Sequence, residues 1–505
     1  MDLIVQGRSD QLAIVDSGIA ITYGELNSRI QKFSSVLANL FEQKNQRIGV
    51  LIEHGAPALV AIFSILREGH CFVPLNPEFP FSRLEYTARD AELAALITTD
   101  KTRPLAEKLG SACEAASLIS IETGEVTPPP GRMSLSVSQN LAYIIYTSGT
   151  TGQPKGVMIS RDSLSEFLNW SNREFGFSSS DRVAGYSRLN FDLSILDVFC
   201  ALTSGATYFP ISNQEGKLFP WQHINKNDIT VWVSVPSMIG IFSRNKQMLS
   251  GNFTSLRCGI FAGEALAYQD AVSWLTVFPE KELFNLYGPT EATVLCSHKK
   301  ILLDEITRTK KVSIGKPNSV TPFYVLDEHM RLLPEGNSGR LFIGGRQVAQ
   351  GYWNRTELSS ERFVKDPFAN DGSLMYDSGD IAVKDKDGDF YWISRADDQI
   401  KLYGYRIELG EIEAALSLYD KVAAVSVCFD KEKSELVTFF QKKESGSPIL
   451  EKDLRRFCEQ SLPKYMTPKV FIEVSEMPLN ANGKIDKKEL CRRYQESIID
   501  PKHRT

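Results

Sequence analysis

The sequence predicts an α/β protein: a large N-terminal part of layered α/β subdomains with a small β-subdomain, then a small α+β domain. Three observations predict it. Short apolar runs alternate with amphipathic stretches as far as Leu302. From about Pro317 to Tyr391 the pattern changes to short strands and turns, and after Arg395 the chain is more charged, with a helix and strands of its own. Short buried strands alternating with helices imply helices layered on a mainly parallel sheet.

Each element follows from local chemistry. Leu26, Ile30, Phe33, Leu37 and Leu40 recur at helical spacing behind Thr22, and Glu25 three residues on completes a capping-box signature. Residues 48–52, 71–75 and 94–99 read as strands, and 58–67 as a helix. Thr127-Pro128-Pro129-Pro130-Gly131 is a breaker, expected to separate this stretch from a second one over 141–302. Asp387-Gly388 reads as a hairpin turn between strands at 381–383 and 390–392. Beyond Arg395, 408–416 reads as a helix, 422–429 and 436–440 as strands, and 442–447 as a surface loop. A charged helix with a loose tail follows Leu490. Two domains are expected, 1–396 and 397–505.

Composition narrows the function classes. Lys plus Arg number 57 against 62 Asp plus Glu, a net charge of −5, so no general field attracts nucleic acid or anionic lipid. None of the eight cysteines stands at C-x-x-C spacing and no H-E-x-x-H occurs among the six histidines, which disfavours zinc and redox motifs. The apolar runs are far shorter than the roughly 20 residues a membrane helix needs, and no secretory signal is visible, so a cytoplasmic protein is expected.

The informative segment is Tyr146-Thr147-Ser148-Gly149-Thr150-Thr151-Gly152-Gln153-Pro154-Lys155-Gly156. An apolar strand enters a loop of hydroxyls and glycines that ends in one lysine, a set suited to an anion. Pro154 stands where a Walker A loop needs its second glycine. The string resembles the signature of the adenylate-forming superfamily. Further motifs follow in that family's order: Tyr287-Gly288-Pro289-Thr290-Glu291, Tyr376-Asp377-Ser378-Gly379-Asp380, Ser394-Arg395-Ala396-Asp397-Asp398-Gln399-Ile400-Lys401, and Asn482-Gly483-Lys484-Ile485-Asp486. The chain is similar to the amino-acid adenylation enzymes of non-ribosomal peptide synthesis, and among them to free-standing L-proline–carrier protein ligases.

The resemblance implies ATP and Mg²⁺ as cofactors and a role for each motif. Thr147, Ser148, Gly149, Thr150, Thr151 and Lys155 would hold the β- and γ-phosphates, with Gly263, Glu264, Asn285 and Gly288 also in the nucleotide site. Tyr287 would stack on adenine, Thr290 donate to the α-phosphate, and Glu291 ligate Mg²⁺. Asp380 would accept from the ribose hydroxyls with Arg395 nearby. Lys484 would bridge the substrate carboxylate and the α-phosphate, and Asp397 would be the hinge of a mobile C-terminal domain. On local sequence alone, Tyr287 reads equally as a core aromatic and Lys484 as a solvated lysine. Five positions depart from the pattern: Asp377 for Arg, Ser378 for Thr, Ser394 for Gly, Tyr403 for Arg, and Arg340 for Glu.

The resemblance also implies a substrate class. Asp192 stands where the amino-acid-activating branch pairs an aspartate with the substrate ammonium; locally it reads also as a helix N-cap. The other pocket positions are Leu193, Leu196, Val233, Ile260, Ala262, Leu286, Val294 and Leu295, all aliphatic. A polar side chain would find no partner there, so a small apolar amino acid is expected, L-proline foremost. D-Alanine or a branched aliphatic amino acid is the alternative, and a non-catalytic binding subunit is another. The expected acceptor is the phosphopantetheine thiol of a separate carrier protein, since no carrier motif follows Asp486.

Overall fold

The computed structural model describes residues 7–113, 116–128, 140–149, 152–244, 253–443, 448–479 and 485–499. The chain divides into two compact units. One comprises 1–77, 88–146 and 156–396; the other comprises 78–87, 147–155 and 397–505.

Among the described residues the first unit holds three sheets. A nine-stranded sheet runs Lys316–Pro317, Ser297–Lys300, Glu282–Tyr287, Cys258–Phe261, Val231–Ser234, Arg182–Gly185, Thr207–Pro210, Leu12–Asp16, Ile19–Thr22. Its inner pairs are parallel and both edges antiparallel. A seven-stranded sheet has a parallel centre of Ser117–Ser120, Ala95–Thr98, Arg47–Leu51, Cys71–Pro74 and Leu141–Thr147. A five-stranded antiparallel sheet contains Ser338–Ile343, Leu374–Lys384 and Phe390–Arg395.

The expected helix over 26–40 is Tyr23–Leu40. Thr22 accepts from the Glu25 N–H while the Glu25 carboxylate accepts from the Thr22 N–H, the reciprocal cap that the sequence implied. Leu26, Ile30, Phe33 and Leu37 are buried on one stripe, each stabilising by roughly 1.5–3 kcal/mol relative to an exposed side chain. Helix Ala56–Arg67 starts behind Gly55, and Asp16 accepts its first N–H from outside the helix. One apolar core takes side chains from both large sheets and from these helices.

The Pro-rich breaker does not divide the sheets as expected. Leu141–Thr147, beyond it, returns to the first stretch's sheet, pairing Phe72 with Tyr143, while Leu12–Asp16 and Ile19–Thr22 leave for the other sheet. Parallel strands need long crossovers, so chain order and sheet membership separate. Residues 129–139 lie outside the described residues.

The second unit contains the hairpin Gln399–Leu402 with Tyr405–Glu408, helix Leu409–Ser417, and a sheet of Val422–Asp430, Glu435–Lys442 and Val470–Glu473. Lys442 ends a strand rather than beginning a loop, and 444–447 lie outside the described residues. The charged helix begins at Lys487, earlier than expected, and runs to Ile499; residues 500–505 lie outside the described residues. No described helix is long and apolar enough to cross a membrane.

Candidate active site

The eight aliphatic positions are all buried: Leu193, Leu196, Val233, Ile260, Ala262, Leu286, Val294 and Leu295 belong to the large core shared by the two big sheets. The period of two in strands arranges this. Val233 lies beside Ile260, and Ile260 beside Phe284, two residues before Leu286. The intervening Trp232, Phe261 and Leu283 go to a different core. Helix Leu193–Ser204 supplies Leu193 and Leu196.

Val294 and its neighbour Thr293 take left-handed backbone angles, φ 69° and 55°, which β-branched residues seldom adopt. Buried Gln347 holds them. Its carbonyl accepts from the Thr293 hydroxyl at 2.5 Å, and its side-chain amide donates to the Leu295 carbonyl at 3.0 Å. Gly288 belongs to the same packing: a Cβ there would lie 2.4 Å from the Leu295 Cα.

Asp192 occupies the N-cap position of helix Leu193–Ser204 but makes no side-chain cap bond. Its carboxylate instead accepts the Thr290 hydroxyl at 2.5 Å. The structure thus joins the residue expected at the substrate ammonium to the one expected at the α-phosphate. Glu291, fully buried, accepts from the Tyr352 hydroxyl at 2.8 Å.

Asp380 is a hub. One oxygen accepts from the Tyr287 hydroxyl at 2.5 Å; the other accepts from Trp392 Nε1 at 2.9 Å and Arg395 Nη1 at 3.1 Å. Burial and then the Asp380 carboxylate hold the Tyr287 phenol far above its ordinary range, so it remains a donor. The Tyr287 ring meets Phe323 edge to face at 5.9 Å.

Other expected residues are engaged elsewhere. Asn285 donates to the Ser313 carbonyl at 2.7 Å, and Glu264 accepts from the Ser237 N–H at 3.0 Å. Gly263 has a left-handed φ of 89°.

Within the second unit, the Ser148 hydroxyl donates to the Arg406 carbonyl at 2.9 Å and the Gly149 N–H to Glu411 at 3.4 Å. Glu411 is itself paired with buried Arg83. A Cβ on Gly149 would lie 2.1 Å from the Gln153 carbonyl oxygen, so the loop's tight turn admits only glycine there. The Thr147 hydroxyl is buried without a partner among the described residues, and Lys155 is buried at the start of strand Lys155–Ser160. Asp397 opens the unit's last segment, its carboxylate accepting from the Gln399 N–H at 3.3 Å. Thr150, Thr151 and Lys484 lie outside the described residues.

Gln347, Tyr352 and Trp392 were not foreseen. Each acts on a residue at least 12 positions away, and no local pattern marks them.

Comparison with known proteins agrees with the motifs. A profile of the AMP-binding enzyme family matches residues 3–353, and one of the AMP-binding enzyme C-terminal domain matches 411–484. Tyrocidine synthase 1 of Brevibacillus parabrevis is 32% identical over 95% of this chain, and gramicidin S synthase 2 of Aneurinibacillus migulanus 34% over 96%. The chain spans 43% and 11% of those proteins' lengths. The fold matches the Vibrio cholerae adenylation domain AlmE, solved in complex with glycyl-adenosine-5'-phosphate, at a TM-score of 0.84 and 24% identity, covering 98% of this chain and 96% of that one. On motif order, profile match and fold together, the chain belongs to the AMP-binding enzyme family.

Proposed function

We propose that the chain activates a small apolar amino acid, L-proline first, as its aminoacyl-adenylate and passes it to the phosphopantetheine thiol of a carrier protein. The observation that carries the reading is Asp192, a half-buried carboxylate that accepts the Thr290 hydroxyl at the start of a helix whose Leu193 and Leu196 join the other six aliphatic positions in one large apolar core. A carboxylate in that setting calls for a cation, and the aliphatic wall calls for an apolar side chain. An α-amino acid with a short hydrocarbon side chain supplies both.

The chemistry joins a substrate carboxylate oxygen to the α-phosphorus of ATP and breaks the bond to the pyrophosphate leaving group. Little covalent work falls to the protein, so positioning and charge neutralisation dominate. Lys155 and its loop would take the outer phosphates, Thr290 the α-phosphate, Asp380 the ribose, and Lys484 the charge that develops between the two anions. Glu291 suits Mg²⁺, a hard cation that would draw its remaining ligands from phosphate oxygens and water. Among the described residues no group of three or more His, Cys, Asp or Glu is gathered as a metal site, so Glu291 would hold the ion together with the nucleotide.

Mass spectrometry of the protein incubated with ATP, Mg²⁺ and single amino acids tests the reading. Prolyl-adenylate is expected. An adenylate formed only with D-alanine or a branched amino acid would reassign the pocket, and no aminoacyl-adenylate with any amino acid would refute it.

A further inference from the structure

Thr290 and Asp192 are assigned to different ligands, yet they bond to each other across 98 residues of chain at 2.5 Å. A threonine hydroxyl has one proton, which serves either a carboxylate or a phosphate oxygen. Nucleotide binding at Thr290 therefore takes a donor from the Asp192 carboxylate. That carboxylate is half-buried at the edge of an apolar cluster, where a missing donor is costly.

A second observation points to what replaces it. The Tyr143 hydroxyl is buried, with no hydrogen-bond partner among the described residues. Burial and then the nearby Asp192 carboxylate push that phenol far above its ordinary range, so it stays neutral and offers an oxygen lone pair. An ammonium carries three donors and a positive charge. It suits a carboxylate that has lost a donor next to a phenol that lacks a partner.

We infer that Thr290 is a shared donor coupling the two substrates: ATP draws its proton to the α-phosphate, the amino acid's ammonium takes its place on Asp192, and each ligand tightens the other. The inference rests on the amino-acid reading proposed above. Such coupling is reciprocal by linkage and typically spans about 5–150-fold. It also discriminates, because a carboxylic acid without the ammonium cannot replace the Thr290 donor on Asp192 and gains nothing from ATP.

The test is calorimetric binding of α,β-methylene-ATP to the full chain, alone and with saturating L-proline or cyclopentanecarboxylate. L-Proline should tighten the nucleotide by about fivefold or more, and cyclopentanecarboxylate should not. Thr290→Ser should keep the factor, while Thr290→Val and Asp192→Asn should bring it close to one. Wild-type coupling in Thr290→Val, or equal tightening by the two carboxylic acids, would overturn the inference. Proline binding with a wild-type factor of one would overturn the coupling alone. Absence of binding by any amino acid would remove the amino-acid reading beneath it as well.

Discussion

Arg340 and Asp377, diagonal to each other on the paired antiparallel strands Ser338–Ile343 and Leu374–Lys384, close a two-point ion pair, Nε to Oδ1 and Nη2 to Oδ2, each at 2.6 Å. In the sequence these were two unrelated departures, an Arg in place of Glu and an Asp in place of Arg. In the fold they are one pair with its polarity reversed. The negative charge beside Asp380 is thereby neutralised locally. Two-point Arg–carboxylate pairs are the stronger kind, but Arg340 is 43% exposed, which weakens this one. Arg340→Glu should lower unfolding stability by about 1–3 kcal/mol by leaving two carboxylates opposed. The exchange Arg340→Glu with Asp377→Arg should recover most of it in urea melts; additive losses would contradict the pairing.

Trp392 donates to the Asp380 oxygen that also takes Arg395. Its removal leaves the hub loosely oriented rather than absent. Trp392→Phe should raise KM for ATP by about 2–12-fold, the range of one net hydrogen bond of 0.5–1.5 kcal/mol, with KM for the amino acid unchanged. A matching rise in both constants would point to a general packing defect.

Buried His54 and His70 and half-buried His223 contribute to acid sensitivity. Burial pushes His54 down to about 3, helped by Lys217 and Arg188, and pushes His70 and His223 down to about 4. Well above pH 6.5 neither the folded nor the unfolded form binds a proton at these sites. Below it the unfolded chain takes up protons that the folded chain refuses, so stability falls as pH drops from about 6.5 towards 4, by up to about 1.4 kcal/mol per unit for each histidine. Urea melts between pH 7 and 5 should show this slope, and His54→Gln should flatten it. A slope that the variant leaves intact would assign acid sensitivity elsewhere.

What the sequence made legible follows how local each signal is. The Thr22–Glu25 cap is written within four residues and appears as expected. That the eight aliphatic positions are buried was legible from their apolar character. Arg340 with Asp377 was not, since cross-strand partners 37 residues apart leave no periodic trace. Asp192 does stand at the N-cap, but its carboxylate takes the Thr290 hydroxyl, distant in sequence, instead of a helix N–H. Strand exchange between the two large sheets was hidden because the apolar pattern marks a strand without naming its neighbours.

Cys428 and Cys491 form a thiol pair between strand Val422–Asp430 and helix Lys487–Ile499, inside one small apolar cluster. The hydrogen bond from Cys428, and then the Lys487 ammonium one turn away, hold the Cys491 thiol below its ordinary range against burial. Cys491 should therefore be alkylated by iodoacetamide at pH 7 faster than Cys113, the other half-buried cysteine. Equal rates, or a faster Cys113, would contradict the bond. Peptide mapping reads both sites at once.

ATP–pyrophosphate exchange measured across the amino acids tests the central claim most directly, because it reports reversible adenylate formation without needing a carrier protein. L-Proline should drive exchange above every other amino acid, and Asp192→Asn should abolish it. Exchange that persists unchanged in Asp192→Asn, or no exchange with any amino acid in the unaltered protein, would contradict amino-acid activation by this chain.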